Sequence, residues 1–248
     1  MQAQAHQRVL VYVLCHDDAS EAHAHHAFGA YPWAHVLRMT TGTGRCETQG
    51  ILDAARRCDA DRWWARAYVG FLQYSSATKP SSNGTTVLQV VLEFVERVER
   101  GDAACPDDVF AFSRARYADP RGDACVDVHG DAYERVWSER VAPLVAAPVF
   151  RTFFCNQFVA RPMLVARYAA WLQDVALPRI EADGRAHAPA FDSARRVDYK
   201  PPPAALRDAG YADWPLLPFI LERVSGAYFA TLAATLGVRI GGAPHIAT

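Results

Sequence analysis

The chain has 248 residues, enough for one large α/β domain or two small ones, and its 51% apolar content can fill a substantial core. Twenty-six Lys and Arg stand against 27 Asp and Glu, a formal net charge of −1, so the basic field that nucleic-acid binding requires is missing. No stretch reaches the roughly 18 consecutive apolar residues of a membrane-spanning helix.

Val9 to Leu14 (VLVYVL) is a near-continuous apolar run, too short and wrongly flanked for a signal peptide, and it predicts a strand covered on both faces. It ends in Cys15-His16-Asp17-Asp18. The segment Thr40–Gly44 (TTGTG) is turn chemistry, and Thr48–Trp64 predicts a helix with Ile51, Leu52, Ala55 and Cys58 on one side. Tyr68–Leu72 predicts a second strand that stops at Gln73-Tyr74-Ser75-Ser76. A loop over Lys79–Gly84 follows, then a helix over Thr86–Arg100, with Gly101 past its end.

Asp108–Phe112 predicts a third strand, Ala132–Leu144 a helix, and Phe150–Val159 a fourth strand interrupted by Asn156. Pro162–Leu177 predicts a helix with proline in its first turn. Residues 181–210 are loop-rich and read as a mobile flap, and the last helix, Pro218–Leu236, stops at Gly237. Strands alternating with helices predict a single α/β domain over residues 1–248, with a central, mainly parallel sheet flanked by helices. Six cysteines, Cys15, Cys46, Cys58, Cys105, Cys125 and Cys155, lie far apart with no ligand spacing. They read as reduced thiols, and the chain as a cytoplasmic protein.

Several residues can carry chemistry. Ligands of open α/β sheets sit beyond the carboxyl ends of strands, so His16, Asp17 and Asp18 are candidates to accept from a ribose or base; Asp17 or Asp18 would equally well cap the next segment. Tyr74 and Ser75 with Lys79 suit diphosphate oxygens, because a lysine offers phosphate a point charge; an ordinary polar turn reads the same. Asn156-Gln157 inside an apolar strand breaks the local pattern, as functional sites do, and as a bulge or an edge strand also would. Glu222-Arg223 follows an apolar helix start and serves either function or the helix itself. Asp127, His129 and Asp131 are loosely spaced for a divalent ion. His23, His25, His26 and His35 raise a zinc reading, without any HExxH motif to support it.

In order and approximate spacing, three of these stretches resemble a family of small glycosyltransferase-like proteins found among capsular-polysaccharide enzymes and in large DNA viruses. They are Tyr68–Ser75 with Lys79, Asn156–Val159, and Pro218–Arg223, and the resemblance runs from Val9 to about Leu236. It implies a GT-A-like, Rossmann-like sheet that binds a nucleotide-sugar donor and moves the sugar to a hydroxyl of a glycan acceptor. On that basis His16, Asp17, Asp18, Tyr74, Ser75 and Lys79 would face the donor, and Asn156 and Arg223 the sugar and acceptor. Glu222 would be the base that deprotonates the acceptor, with Asp127 in reserve. Many GT-A enzymes carry an Asp-x-Asp metal motif where this chain reads Gln73-Tyr74-Ser75. The leaving group would then be neutralised by Mn2+ or Mg2+ on Asp127 or Asp131, or by Lys79 and Arg223. The alternatives are a relative that binds nucleotide sugar without turnover, and a zinc-dependent hydrolase built on His23–His26.

Overall fold

The computed structural model describes residues 7–81, 84–101, 107–112, 117–118, 123–146, 150–191, 201–202 and 204–242. Its first strand, β1 (Val9–Cys15), is buried at every position. Alternate side chains of β1 enter two separate cores. Val9, Val11, Val13 and Cys15 pack with Ala24 and Phe28 of α1 (Asp18–Phe28), whereas Leu10, Tyr12 and Leu14 face the opposite layer. A strand covered by helices on both faces has no polar side to show, and the unbroken apolar run is the consequence.

β2 (Ala34–Arg38) pairs with β1 in parallel, and α2 (Glu47–Ala55) returns the chain to β3 (Tyr68–Gln73), parallel to β1 on its other side. α3 (Val87–Glu99) lays Val87, Val91, Phe94 and Val98 on the layer it shares with α1. Next come β4 (Val109–Ala111), β5 (Tyr117–Ala118), α4 (Asp123–Val136), β6 (Phe150–Arg151) and β7 (Phe158–Ala160). α5 (Pro162–Trp171), α6 (Leu177–Glu181), α7 (Ala204–Asp208), α8 (Leu217–Leu236) and β8 (Ile240–Gly242) complete the order. The main sheet is β2-β1-β3-β7-β4-β8, parallel except that β7 runs against both neighbours; β5 and β6 form a separate antiparallel pair. This is an α/β arrangement compatible with a Rossmann-like fold. No helix among the described residues is long and apolar enough to cross a membrane.

Four expected elements have other bounds. The helix expected over Thr48–Trp64 stops at Ala55, because the chain folds back through a left-handed Arg62. That turn buries Trp63 completely and lets its indole N–H donate to the Tyr12 hydroxyl at 2.8 Å. The strand expected over Phe150–Val159 is two strands separated by a turn at Phe154–Asn156, where Cys155 and Asn156 both take φ of 52°. The helix expected over Pro162–Leu177 closes at Trp171 and passes through a wide π-type turn, Leu172–Ala176, into α6. Pro178 has no N–H to continue the regular ladder there. The helix expected over Ala132–Leu144 starts earlier, at Asp123, and breaks at Gly130 (φ 71°, ψ −168°).

Of the loop-rich 181–210 segment, residues 192–200 and 203 lie outside the described part. Its opening is tied down. The two oxygens of Glu181 accept from Nε and Nη2 of Arg45, and the Ala190 N–H donates to Trp214 O at 2.7 Å. Cys15, Cys46, Cys58 and Cys155 are free thiols.

Candidate functional site

From β1 the chain passes to β2 on one side, then crosses to β3 on the other. The carboxyl ends of β1 and β3 therefore flank a topological switch point, the place where open α/β sheets hold ligands. Because β7 is antiparallel and pairs Phe158 with Phe71, its beginning reaches this same edge. The residues just before β7, Cys155 and Asn156, thus join those just after β1 and β3.

At the β1 end, Asp17 caps α1. One carboxylate oxygen accepts from the Ser20 N–H at 2.7 Å, and the Ser20 hydroxyl accepts from the backbone of His16 and Asp17. That backbone hydrogen bond holds the Asp17 carboxyl below its ordinary range. Asp18 turns outward to Arg38 at 2.6 Å. Of the two acids expected to face a donor, Asp17 is engaged in starting the helix and Asp18 in an exposed ion pair with Arg38. His16 and His23 lay their rings edge-on against Tyr74, with centroids 5.2 and 5.8 Å away, and burial raises the Tyr74 hydroxyl.

At the β3 end, Gln73 is the hub. Its amide N–H donates to Glu47, and its amide oxygen accepts from Lys79 Nζ and from the Ser75 hydroxyl at 3.1 Å. Lys79 Nζ also lies 3.3 Å from Cys155 Sγ. Glu47 opens α2 directly after Cys46, which is held at φ 46°. Desolvation raises the Glu47 carboxyl; Lys79 opposes the shift and the Glu222 charge adds to it. Burial likewise pushes the Cys155 thiol up to about 12 and raises Cys46, so both sulfurs stay protonated at neutral pH.

Two successive non-glycine residues in the left-handed region each carry a conformational cost of roughly 1 kcal/mol or more. The corner is held from two directions. The Cys155 N–H donates to Glu222, whose other oxygen accepts from Arg223 Nη1 at 2.8 Å, and Arg223 also donates to Phe219 O. The Asn156 amide donates to the Thr48 hydroxyl at 3.3 Å. Asn156 is only 2% exposed, and its side-chain oxygen is buried without a donor, which in a native protein calls for an explanation.

Beyond Arg223, His129 of α4 donates from Nδ1 to Ala190 O at 2.9 Å, and its ring packs 4.4 Å from Phe219. Burial, aided by the Arg223 charge, lowers it to about 4. The backbone of Asp127 belongs to α4, but its side chain lies outside the described residues; Asp131 is exposed. His23, His25 and His26 are exposed on α1, while His35 packs on Tyr12. Among the described residues no group of three or more His, Cys, Asp and Glu side chains is arranged to hold a metal ion.

Tyr74, Ser75, Lys79, Asn156, Glu222 and Arg223, expected from sequence, thus meet in one cluster, with His16 at its margin. Glu47, Thr48, Gln73 and Cys155 were not singled out for this role. For Glu47 and Thr48 the signal was present: a Gly-Thr-Gly turn leading into a helix whose first turn carries a carboxylate. Comparison with protein-family models, curated proteins and solved structures finds no match.

Proposed function

We propose that this cluster binds a nucleotide-sugar and transfers its sugar to a hydroxyl of a glycan or related acceptor, on a GT-A-like form of the fold. The observation that carries the reading is convergence. A lysine, an amide with a spare buried oxygen and carboxylates from four distant stretches share one hydrogen-bonded network at the switch point of the sheet. Each has a task in such a reaction. The acceptor O–H bond breaks and its oxygen bonds the anomeric carbon, while the bond from that carbon to phosphate oxygen breaks with its electron pair. The departing diphosphate needs a positive neighbour, which Lys79 supplies. A sugar hydroxyl is a suitable donor for the Asn156 oxygen. Tyr74, with His16 and His23 beside it, offers aromatic surface for a nucleobase.

Thermal melting and calorimetry with UDP-, GDP- and dTDP-sugars, with and without Mn2+, test this, followed by chromatography for free nucleotide and glycosylated product. A true donor at a hundred times its Kd adds about 2.7 kcal/mol to the folded state. Binding of one donor class with product formation is the expected result. Binding with neither transfer nor slow hydrolysis identifies a non-catalytic nucleotide-sugar receptor. No shift with any nucleotide sugar refutes the reading.

A further inference from the structure

We infer that Glu47, rather than Glu222, is the carboxylate that takes the proton from the acceptor hydroxyl, and that Glu222 is a positioning residue which holds the Cys155–Asn156 corner. The inference rests on the transfer reading above and assigns its base.

The two carboxylates are placed differently. Both oxygens of Glu222 are engaged, one by the Cys155 backbone N–H and the other by the Arg223 guanidinium. A carboxylate clamped between a backbone donor and a fixed cation has both oxygens committed to holding the corner. Removing it would release a backbone turn that needs holding. Glu47 accepts from the neutral Gln73 amide and from its own backbone N–H, with no cation bonded to it. It stands on the first turn of α2, a rigid element whose following residue, Thr48, is itself bonded to Asn156.

Gln73 also orders the two ends of the reaction. Its N–H side faces Glu47 and its oxygen faces Lys79 and Ser75, an orientation imposed by the carboxylate on one side and the ammonium on the other. Base and leaving-group cation are therefore held one amide apart. The charged and titratable groups facing Glu47 are Lys79, Glu222, Tyr74 and the thiols of Cys46 and Cys155. Lys79 favours the carboxylate, Glu222 and burial favour the acid, and the thiols and phenol are neutral near pH 7. The resulting rise in proton affinity suits a group that must draw a proton from an alcohol. In the step, the acceptor O–H bond breaks with its proton passing to Glu47, and the freed electron pair forms the bond to the anomeric carbon. The phosphate oxygen leaves with the pair of the bond that breaks, beside Lys79.

The test compares wild type, E47Q and E222Q in calorimetric donor binding, thermal melting, and kcat against pH with a donor that the wild type turns over. E47Q is expected to lower kcat roughly a hundredfold, the size of a positioned base's contribution, with donor Kd within about threefold and melting unchanged. The acid limb of the kcat profile should vanish with it. E222Q should melt earlier yet keep that limb. E47D, which retains a carboxylate set back by one methylene, covers the event that E47Q does not fold; it should keep the acid limb with a kcat lowered about tenfold. E47Q activity above about a tenth of wild type, a retained acid limb in E47Q, or E47D at full kcat overturns the assignment while leaving sugar transfer standing. A wild type that turns over no nucleotide sugar removes both.

Discussion

Lowering the pH from 7 to 5 should weaken the fold through His129, and the size of the effect follows from its surroundings. The ring lies among Tyr133, Phe191 and Phe219, gives its Nδ1 proton to Ala190 O, and has Arg223 close by. Burial first, and the arginine charge second, bring it from the ordinary 6.5 down to about 4. A depressed histidine stays neutral in the folded chain while the unfolded chain protonates, so its contribution is complete above about pH 6.5 and drains away as pH falls towards 4. Linkage between those two values gives a loss of about 0.8 kcal/mol at pH 6 and about 2 kcal/mol at pH 5. For a chain of this length that is roughly 4–8 °C of melting temperature by pH 5.

Burial also depresses His35, so the melting curve of wild type alone mixes two groups. The comparison is therefore with H129F. That ring fits the aromatic surroundings, leaves Ala190 O without its donor at a pH-independent cost of about 1 kcal/mol, and cannot titrate. Calorimetric melting from pH 7.5 to 4.5 should show the two curves converging as pH falls and crossing near pH 6, because only wild type loses the His129 contribution. Curves that stay parallel across this range would refute the reasoning. The position also matters for the site: a proton on His129 puts a second cation beside Arg223, the residue that steadies Glu222.

Two further outcomes test the frame around the cluster. At Gly70, an added Cβ would lie 2.6 Å from Phe158 O and 2.9 Å from the Val159 Cα, both backbone atoms of the neighbouring strand; G70A should therefore cost about 2–3 kcal/mol in urea denaturation, and an unchanged midpoint would show that β3 and β7 are not pressed together as described. Thr86 and Gln89 cap α3 reciprocally, hydroxyl to N–H at 3.2 Å and N–H to amide oxygen at 2.7 Å; T86A should lower stability by about 1 kcal/mol, and a midpoint equal to wild type would mean the cap contributes nothing.

Long, strongly patterned stretches were readable in advance. The VLVYVL run had to lie between two apolar layers, and the apolar spacing from Val87 to Val98 had to face one of them. The edge strand β2 (AHVLR) was not seen, because only Leu37 of its five residues is buried and so no run or alternation marks it. The stop of α2 at Ala55 depends on Trp63 finding Tyr12, a partner 51 positions earlier, which no local window contains. The site divides in the same way. Asn156 stood out because it interrupts an apolar strand, Glu222-Arg223 because it follows an apolar helix start, and Lys79 because it follows a strand end beside Tyr74 and Ser75. Gln73 and Cys155 acquire their roles only from neighbours brought by the sheet, Glu47 and Lys79 for the first, Glu222 and Lys79 for the second. Asp17 illustrates the reverse: a conspicuous acid at a strand end that is consumed by its own helix.

The reversed direction of β7 has a consequence for how this molecule can vary. Most rims of a sheet like this are furnished by chain departing from strands, which can lengthen outward into solvent without disturbing what lies behind. Here part of the rim is furnished by chain arriving. The stretch from Thr152 to Gln157 is gripped at one end by Phe153, wedged against Phe158 and Phe229, and at the other by the pairing of Phe158 with Phe71. It has no slack. The number of residues between Phe153 and Phe158 fixes the geometry of the cluster as much as the side chains there do.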